Sequence, residues 1–145
     1  MKTLLAILLA VAAAGPAMAA ETRAGDLTIS NAVIRAVPAG INSTAGYLSI
    51  ANAGARTDKL LSASCACAGK VEVHVTHVMN GSAMMMPGEA TAPAGAKVSF
   101  APGGLHLMMT GLKTPMVDGS TQPVTLKFQR AGAVSVPFQV KTRVP

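Results

Sequence analysis

Residues 71–86 decide the fold, and they read Val-Glu-Val-His-Val-Thr-His-Val-Met-Asn-Gly-Ser-Ala-Met-Met-Met. Apolar and polar side chains largely alternate over the first eight of these residues, which is typical of a β-strand with one buried face. Asn80-Gly81 follows, and this dipeptide favours a two-residue hairpin turn. Such a turn pairs Met79 with Ser82, and therefore Thr76 with Met85. The sequence thus predicts an antiparallel hairpin whose register is set by its turn.

Outward from this hairpin, the chain is a series of short apolar runs separated by Gly, Pro, Asn and Asp. The predicted strands are residues 27–37, 45–51, 59–64, 71–78, 83–86, 97–100, 105–110, 124–129 and 134–140. Turns recur at intervals of about 8 to 12 residues, which is typical of a β-sandwich or barrel. After residue 20, no stretch has a helical period with capping residues. The pattern predicts an all-β fold, a Greek-key sandwich or barrel of about eight or nine strands.

Residues 1–20 have the pattern of a secretory signal peptide. Lys2 supplies a positive charge, residues 4–14 form an apolar run, and residues 17–19 are a small-x-small cleavage site. A membrane anchor is the alternative, but this run is shorter than a spanning helix and no later stretch is long enough. We therefore expect export, most simply to a bacterial periplasm, with residues 21–145 as a single domain and no membrane span in the mature chain.

The distribution of charge bears on possible partners. The chain has a formal net charge of +6, which falls to +5 when Lys2 leaves with the signal peptide. Its cationic residues are scattered singly, and it has no Trp and one Tyr. Nucleic-acid binding by phosphate neutralisation and base stacking is therefore not expected. The positive charge fits solubility or docking to an acidic protein.

Histidine and methionine are concentrated in one part of the chain. All three histidines and six of the nine methionines lie within residues 71–109. Residues two apart on a strand share a face, so His106 and Met108 lie together. In the hairpin, His74 shares a face with Thr76, and therefore with its diagonal neighbour Met85. The candidate metal ligands are His74, Met85, His106 and Met108.

Two neighbouring residues fall on the other face of the hairpin. Met84 becomes the substitute for Met85 if a bulge shifts the register, and Gly81 makes a bulge possible. His77 is out of phase with His74, and we expect it to face solvent. Methionine is also a flexible filler of apolar cores, which is the alternative interpretation of the whole cluster. Because the methionines lie close to histidines that share the same strand face, we favour a metal site.

Two imidazoles with two thioethers form a soft, neutral ligand set that suits Cu(I). Zinc favours cysteine or carboxylate ligands, and a blue-copper electron-transfer centre needs a thiolate. Neither kind of ligand accompanies the four candidates. Imidazole also binds Cu(II), so this oxidation state stays open beside Cu(I). The residues indicate a protein that carries copper.

The order of these residues resembles the PCu(A)C family of periplasmic copper chaperones. Lys70-Val-Glu-Val-His74 is similar to the first ligand strand of that family, and Pro102-Gly-Gly-Leu-His-Leu-Met108 to its most recognisable segment. The resemblance covers nearly all of residues 21–145. It implies a cupredoxin-like β-sandwich that carries Cu(I) for the assembly of cytochrome c oxidase, often alongside a Sco-type thiol protein. The family's ligand positions fall on His74, Met85, His106 and Met108.

The chain departs from the family in one spacing. Only twenty residues separate Met85 from His106, where the family has about twenty-one, and counting back twenty-one from His106 reaches Met84. The hairpin register favours Met85, so we place the missing residue in the loop of residues 87–95.

Cys65-Ala-Cys67 is a second departure. Two cysteines in an exported protein suggest a disulfide, although a Cys-x-Cys ring is small and strained. An auxiliary thiolate site for Cu(I), a redox pair acting on a partner, and a disulfide without a role all stay open.

Catalytic motifs are missing from the sequence. We find no nucleophile elbow, phosphate loop or candidate triad, so we do not expect an enzyme. The expected function is a periplasmic Cu(I) chaperone that delivers copper to a cytochrome c oxidase subunit or a Sco-type assembly protein. A periplasmic copper buffer and a thiol-disulfide oxidoreductase that uses Cys65 and Cys67 are the alternatives.

Overall fold

The structure is a computed structural model that describes residues 21–145, except the side chains of His77 and Met85. The predicted signal peptide, residues 1–20, lies outside the described residues. Over residues 21–145 the chain forms strands and turns and no helix, so this part contains no helix able to span a membrane. The prediction of an all-β fold is confirmed.

Eleven strands form between residues 21 and 145. They are β1 (Thr22–Ala24), β2 (Leu27–Arg35), β3 (Ser43–Asn52), β4 (Asp58–Ser64), β5 (Ala68–Met79), β6 (Ser82–Pro87), β7 (Ala90–Ala92), β8 (Lys97–Ser99), β9 (Leu105–Leu112), β10 (Thr121–Phe128) and β11 (Gly132–Lys141). All nine predicted strands are present. The expected number was too low because β1 and β7 have three residues each, too few to show an alternating pattern.

Seven of these strands close into a barrel. They pair in the order β2-β11-β10-β4-β5-β9-β3, and β3 pairs back with β2. The pairing of β11 with β2 is parallel, and the other pairings are antiparallel. The short strands extend the edges, with β1 on β2, β6 on β5, β7 on β4 and β8 on β3. Closure leaves few unpaired edges, which protects the fold against edge-to-edge association.

The barrel interior is filled by the apolar residues of the alternating strands. In β10 every second side chain from Val124 to Phe128 is buried, and in β11 every second side chain from Val136 to Val140 is buried. Asp58 at the start of β4 is also buried, and its carboxylate accepts hydrogen bonds from the backbone N–H groups of Arg130 and Ala131. These bonds connect the β10–β11 turn to β4. They also stabilise the carboxylate, because a buried charged group is costly unless it is hydrogen-bonded.

The β5–β6 hairpin has the predicted register. Asn80 and Gly81 have φ angles of 52° and 79°, as a two-residue type I′ turn requires. Met79 pairs with Ser82 and Thr76 with Met85, without a shift along the ladder. The hairpin therefore carries no bulge that would exchange its two faces.

Strands β5 and β9 each have one face that points into the core and one that points outward. Val73, Leu107 and Met109 point inward and are buried. Because side chains alternate along a strand, His74, His106 and Met108 lie on the outer face. The same alternation that builds the core thus places these three residues together.

Candidate metal centre

His74 and His106 lie directly opposite each other on β5 and β9. Their ring centroids are 5.7 Å apart, and the ring planes meet at 60°. With metal–nitrogen bonds of about 2 Å, two imidazoles on one ion have ring centres roughly 5 to 6 Å apart. The spacing of the two rings is therefore compatible with a shared metal ion.

Each ring uses one nitrogen for a hydrogen bond. The Nε2 atom of His74 lies 3.0 Å from a carboxylate oxygen of Glu72, and Nδ1 of His106 lies 3.3 Å from the carbonyl oxygen of Gly104. Carboxylate and carbonyl oxygens only accept hydrogen bonds. In the neutral rings these nitrogens therefore carry the hydrogen, and the opposite nitrogens keep a free lone pair.

Those opposite nitrogens are buried and have no hydrogen-bond partner. Nδ1 of His74 and Nε2 of His106 are the two such side-chain atoms in the described part of the chain. Leaving a buried polar group unpaired costs about 1 to 3 kcal/mol, so two such atoms on facing rings need an explanation. A metal ion that accepts both lone pairs supplies one.

Glu72 supports the ring of His74 from the same face of β5. Its carboxylate also pairs with Nζ of Lys70 at 2.9 Å. The hydrogen bond with Lys70, followed by the one with His74, lowers the pKa of the Glu72 carboxyl below its ordinary value. A metal-binding histidine commonly donates a hydrogen bond from the N–H of its second ring nitrogen to a carboxylate in this way. This role of Glu72 was not predicted from the sequence, although Glu72 lies two residues before His74 and therefore on the same face of the strand.

Met108 lies beside this pair of rings. It pairs with Glu72 on β5 and with Ala45 on β3, and its side chain is half-buried. A groove of about 360 Å³ opens at this point, lined by Arg35, Tyr47, Thr76, Pro102, His106 and Met108 among others. The groove leaves room for an incoming ligand next to the sulfur of Met108.

Met85 pairs with Thr76, two residues beyond His74 on β5. Its side chain, like that of the predicted solvent-facing His77, lies outside the described part of the structure. Met84 pairs with His77 and is 48% exposed. The ladder therefore places position 85 on the face of His74 and Met84 on the opposite face.

Comparison with known proteins identifies the family. Residues 27–140 match the family model described as "Putative lipoprotein LpqE-like". The chain belongs to this family. It is 32% identical over 121 residues to the "Putative lipoprotein Lxx21020" of Leifsonia xyli subsp. xyli, an alignment that covers 82% of this chain and 72% of the relative.

Solved structures similar to this LpqE-like chain include PCuAC domains and the protein DR1885. The solution structure of apo-DR1885 from Deinococcus radiodurans is 30% identical, with a TM-score of 0.65 and coverage of 99% of this chain and 97% of that one. The solution structure of its Cu(I) form is 31% identical to this chain, with a TM-score of 0.62 and coverage of 78% of this chain and 76% of that one. The copper-bound PCuAC domain of PmoF2 has a TM-score of 0.74 at 23% identity, covering 86% of this chain and 99% of that domain. The resemblance to the PCu(A)C family and the cupredoxin-like fold are confirmed.

The two cysteines of this LpqE-like protein lie away from the histidines. Cys65 and Cys67 form a disulfide with each other, and the residue after Cys67 begins β5. Cys67 precedes His74 by seven residues, which at about 3.3 Å per residue of extended chain is roughly 23 Å. Cysteines at that distance cannot bind the same metal ion as His74.

Proposed function

We propose that this protein binds one Cu(I) ion between His74, His106, Met108 and Met85. The observation that carries the proposal is the pair of buried, unpartnered nitrogens, Nδ1 of His74 and Nε2 of His106, on rings that face each other. Met108 lies two residues after His106 on the same face of β9, and Met85 occupies the hairpin position diagonal to His74. The copper-bound PCuAC relatives support the choice of metal.

The ligand set favours Cu(I) on chemical grounds. Imidazole and thioether are soft, neutral ligands, and the metals that prefer thioethers include Cu(I). Neither group is lost to disulfide formation in an oxidising compartment. The thioethers carry no proton that copper must displace, so protons compete with copper only at the two histidines.

We further propose that the protein is exported and delivers its copper to a cytochrome c oxidase assembly site, either directly or through a Sco-type protein. Export is supported by the signal-like residues 1–20 and by the lipoprotein-like family. Delivery requires an accessible ligand, and the groove beside Met108 provides access. An incoming ligand can displace the neutral thioether first, while the two histidines still hold the ion.

The proposal is tested by titrating the protein with Cu(I) against a chelator of known affinity. Met108→Leu keeps the side-chain volume and removes the sulfur, and Met109→Leu is the matched control, because Met109 is buried on the other face of the same strand. We expect Met108→Leu and His106→Ala to weaken Cu(I) binding by at least about tenfold. Mutating a residue that only hydrogen-bonds to a metal ligand already costs about 10- to 100-fold in metal affinity, and a ligand should matter at least as much. Met109→Leu should bind as the wild type does. Equal affinities in all variants would exclude the site.

A second candidate, thiol-disulfide exchange, is favoured by the Cys65–Cys67 disulfide. A double Cys→Ser variant separates the two functions, since it removes the exchange chemistry and leaves the histidine pair in place. Loss of copper binding in that variant would transfer the function to the cysteines. A copper buffer requires the same site as a chaperone, and measured transfer to an oxidase subunit distinguishes the two.

A further inference from the structure

A groove of about 680 Å³ lies against strands β2, β3, β8 and β11 of the barrel. Its apolar lining includes Val33, Leu48 and Phe100, which are all buried. Two hydroxyl groups also line it, with Oγ of Ser49 and Oγ of Ser99 3.2 Å apart. A concave surface of this size, with apolar walls and a few placed polar groups, is typical of a binding site.

An irregularity in β2 shapes one side of this groove. The pairing of β2 with β3 shifts its register between Ser30 and Val33, and Asn31, which lies in the shift, has a φ angle of 53°. Asparagine tolerates this left-handed conformation better than most residues. An extra residue of this kind bends the strand, and such bulges are over-represented beside functional sites. Asn31 and Ala32 line the groove, so the depression is built into the sheet.

The charged side chains that line the groove are all cations. Lys97, Lys141 and Arg143 are exposed, and none of them belongs to an ion pair within residues 21–145. No Asp or Glu of those residues lines the groove. Pro145 also lines it, and with its terminal carboxylate counted the net charge is +2 (3 − 1). We call this surface the cationic groove, because it attracts anionic groups of another molecule.

The cationic groove adjoins the groove beside Met108. Tyr47 lines the groove at Met108 and Ser49 lines the cationic groove. These two residues are two apart on β3, so they share a face and lie about 6.6 Å from each other along the strand. Arg35, which also lines the groove at Met108, pairs with Lys141 across β2 and β11. The positively charged surface therefore continues to the candidate metal centre.

The spacing of the cations favours an extended occupant over a small anion. Lys97 lies on β8 and Lys141 on β11, and the strands between them follow the order β11-β2-β3-β8. Neighbouring strands are about 4.8 Å apart, so three spacings separate the two backbones by roughly 14 Å across the sheet. One small anion contacts one end of such a groove, whereas several carboxylates along a peptide segment reach both ends.

We propose that the cationic groove docks an acidic segment of the protein that receives copper. This inference rests on the delivery proposed above and adds the chemistry of the recipient. Its carboxylates pair with Lys97, Lys141 and Arg143, and apolar side chains between them cover the apolar lining of the groove. A segment seated there holds the recipient beside Met108, where an incoming ligand displaces the thioether. Complementary charge raises the rate of encounter more than the affinity, which suits a carrier that must release its partner.

The experiment follows the 1H–15N amide signals of copper-free protein while a short synthetic peptide is added. In the acidic peptide glutamate alternates with leucine, and in the control peptide lysine replaces each glutamate. We expect the acidic peptide to shift the signals of Ser49, Ser99 and Lys141, and the shifts to weaken as salt is added, because salt screens exposed charges. The lysine peptide should leave these signals in place.

Two variants with the same loss of charge locate the binding surface. Lys97→Gln/Lys141→Gln removes cations of the groove, and Lys113→Gln/Lys127→Gln removes exposed cations that do not line it. One solvent-exposed ion pair contributes about twofold to an association constant. The groove variant should therefore bind the acidic peptide about fourfold more weakly than the wild type, and the control variant should bind it as the wild type does. Neither variant should change the affinity for Cu(I).

Three results would overturn the docking groove. The acidic peptide could leave the groove signals unshifted, the two variants could bind it equally well, or free glutamate could produce the same shifts at the same carboxylate concentration, which would indicate a site for small anions. Failure of the copper centre is measured separately, by the chelator titration. No Cu(I) binding there would overturn the proposed function together with the role of the groove in delivery, whereas failed peptide binding overturns the groove alone.

Discussion

Replacement of Glu72 tests how the protein prepares His74 for copper. The carboxylate of Glu72 accepts the Nε2 hydrogen of His74 at 3.0 Å and thereby leaves the Nδ1 lone pair free for the proposed copper ion. Partners of this kind contribute about 10- to 100-fold to metal affinity. The Glu72 side chain is 32% exposed and also pairs with Lys70, so water can replace part of its effect. We therefore expect Glu72→Ala to weaken Cu(I) binding by about tenfold, the lower end of that range.

The assay combines competition for Cu(I) against a chelator with 15N chemical shifts of the imidazole rings. The shifts report which nitrogen carries the hydrogen, and a purely structural role of Glu72 would not change them. In wild-type apoprotein we expect His74 to carry its hydrogen on Nε2, and in Glu72→Ala a mixture of the two tautomers. Lys70→Gln is the matched control, since Lys70 contacts the carboxylate and not the ring, and it should change the affinity much less. Wild-type affinity together with an unchanged tautomer in Glu72→Ala would refute the reasoning.

Three further predictions concern acid, the disulfide and the core. Cu(I) affinity should fall as the pH is lowered in a chelator titration, because protons compete with copper for the two imidazole lone pairs. The pKa of the Glu72 carboxyl is lowered, so this carboxylate stays charged, and keeps its hydrogen bond to His74, at a lower pH than an ordinary carboxyl would. Cys65→Ser/Cys67→Ser should leave Cu(I) affinity unchanged and reduce the free energy of unfolding by less than about 2 kcal/mol, because the closed loop is very short; a large loss of copper would contradict the separation of the two sites. Leu126→Ala should cost about 2 to 5 kcal/mol in urea unfolding through the cavity it leaves, whereas the exposed neighbour Lys127→Ala should change stability by less than about 0.5 kcal/mol.

Local sequence patterns predicted the strands and the hairpin, because these elements are determined by residues that are close together in the sequence. Alternation is visible in any strand with one buried face, and Asn80-Gly81 determines its own turn and hence the register of Thr76 and Met85. The same logic correctly placed His106 and Met108 on one face of β9, which is opposite to the face of the buried Met109.

Features that depend on contacts between distant strands could not be predicted in this way. The direct pairing of His74 with His106 joins residues 32 positions apart (106 − 74), and nothing in either strand specifies that register. The supporting contact from Glu72 became recognisable only when the His74 ring and its free nitrogen were located. The short strands β1 and β7 form because longer strands offer them an edge, not because of their own sequence.

The most direct test of the copper centre is X-ray absorption at the copper edge of protein loaded with one equivalent of Cu(I). We expect a first coordination shell that contains both nitrogen and sulfur, from the two imidazoles and at least one thioether of the proposed centre. Replacement of His106 by Ala should remove nitrogen from that shell. A shell of sulfur alone in the wild-type protein would contradict the proposed centre, because copper would then not lie between His74 and His106.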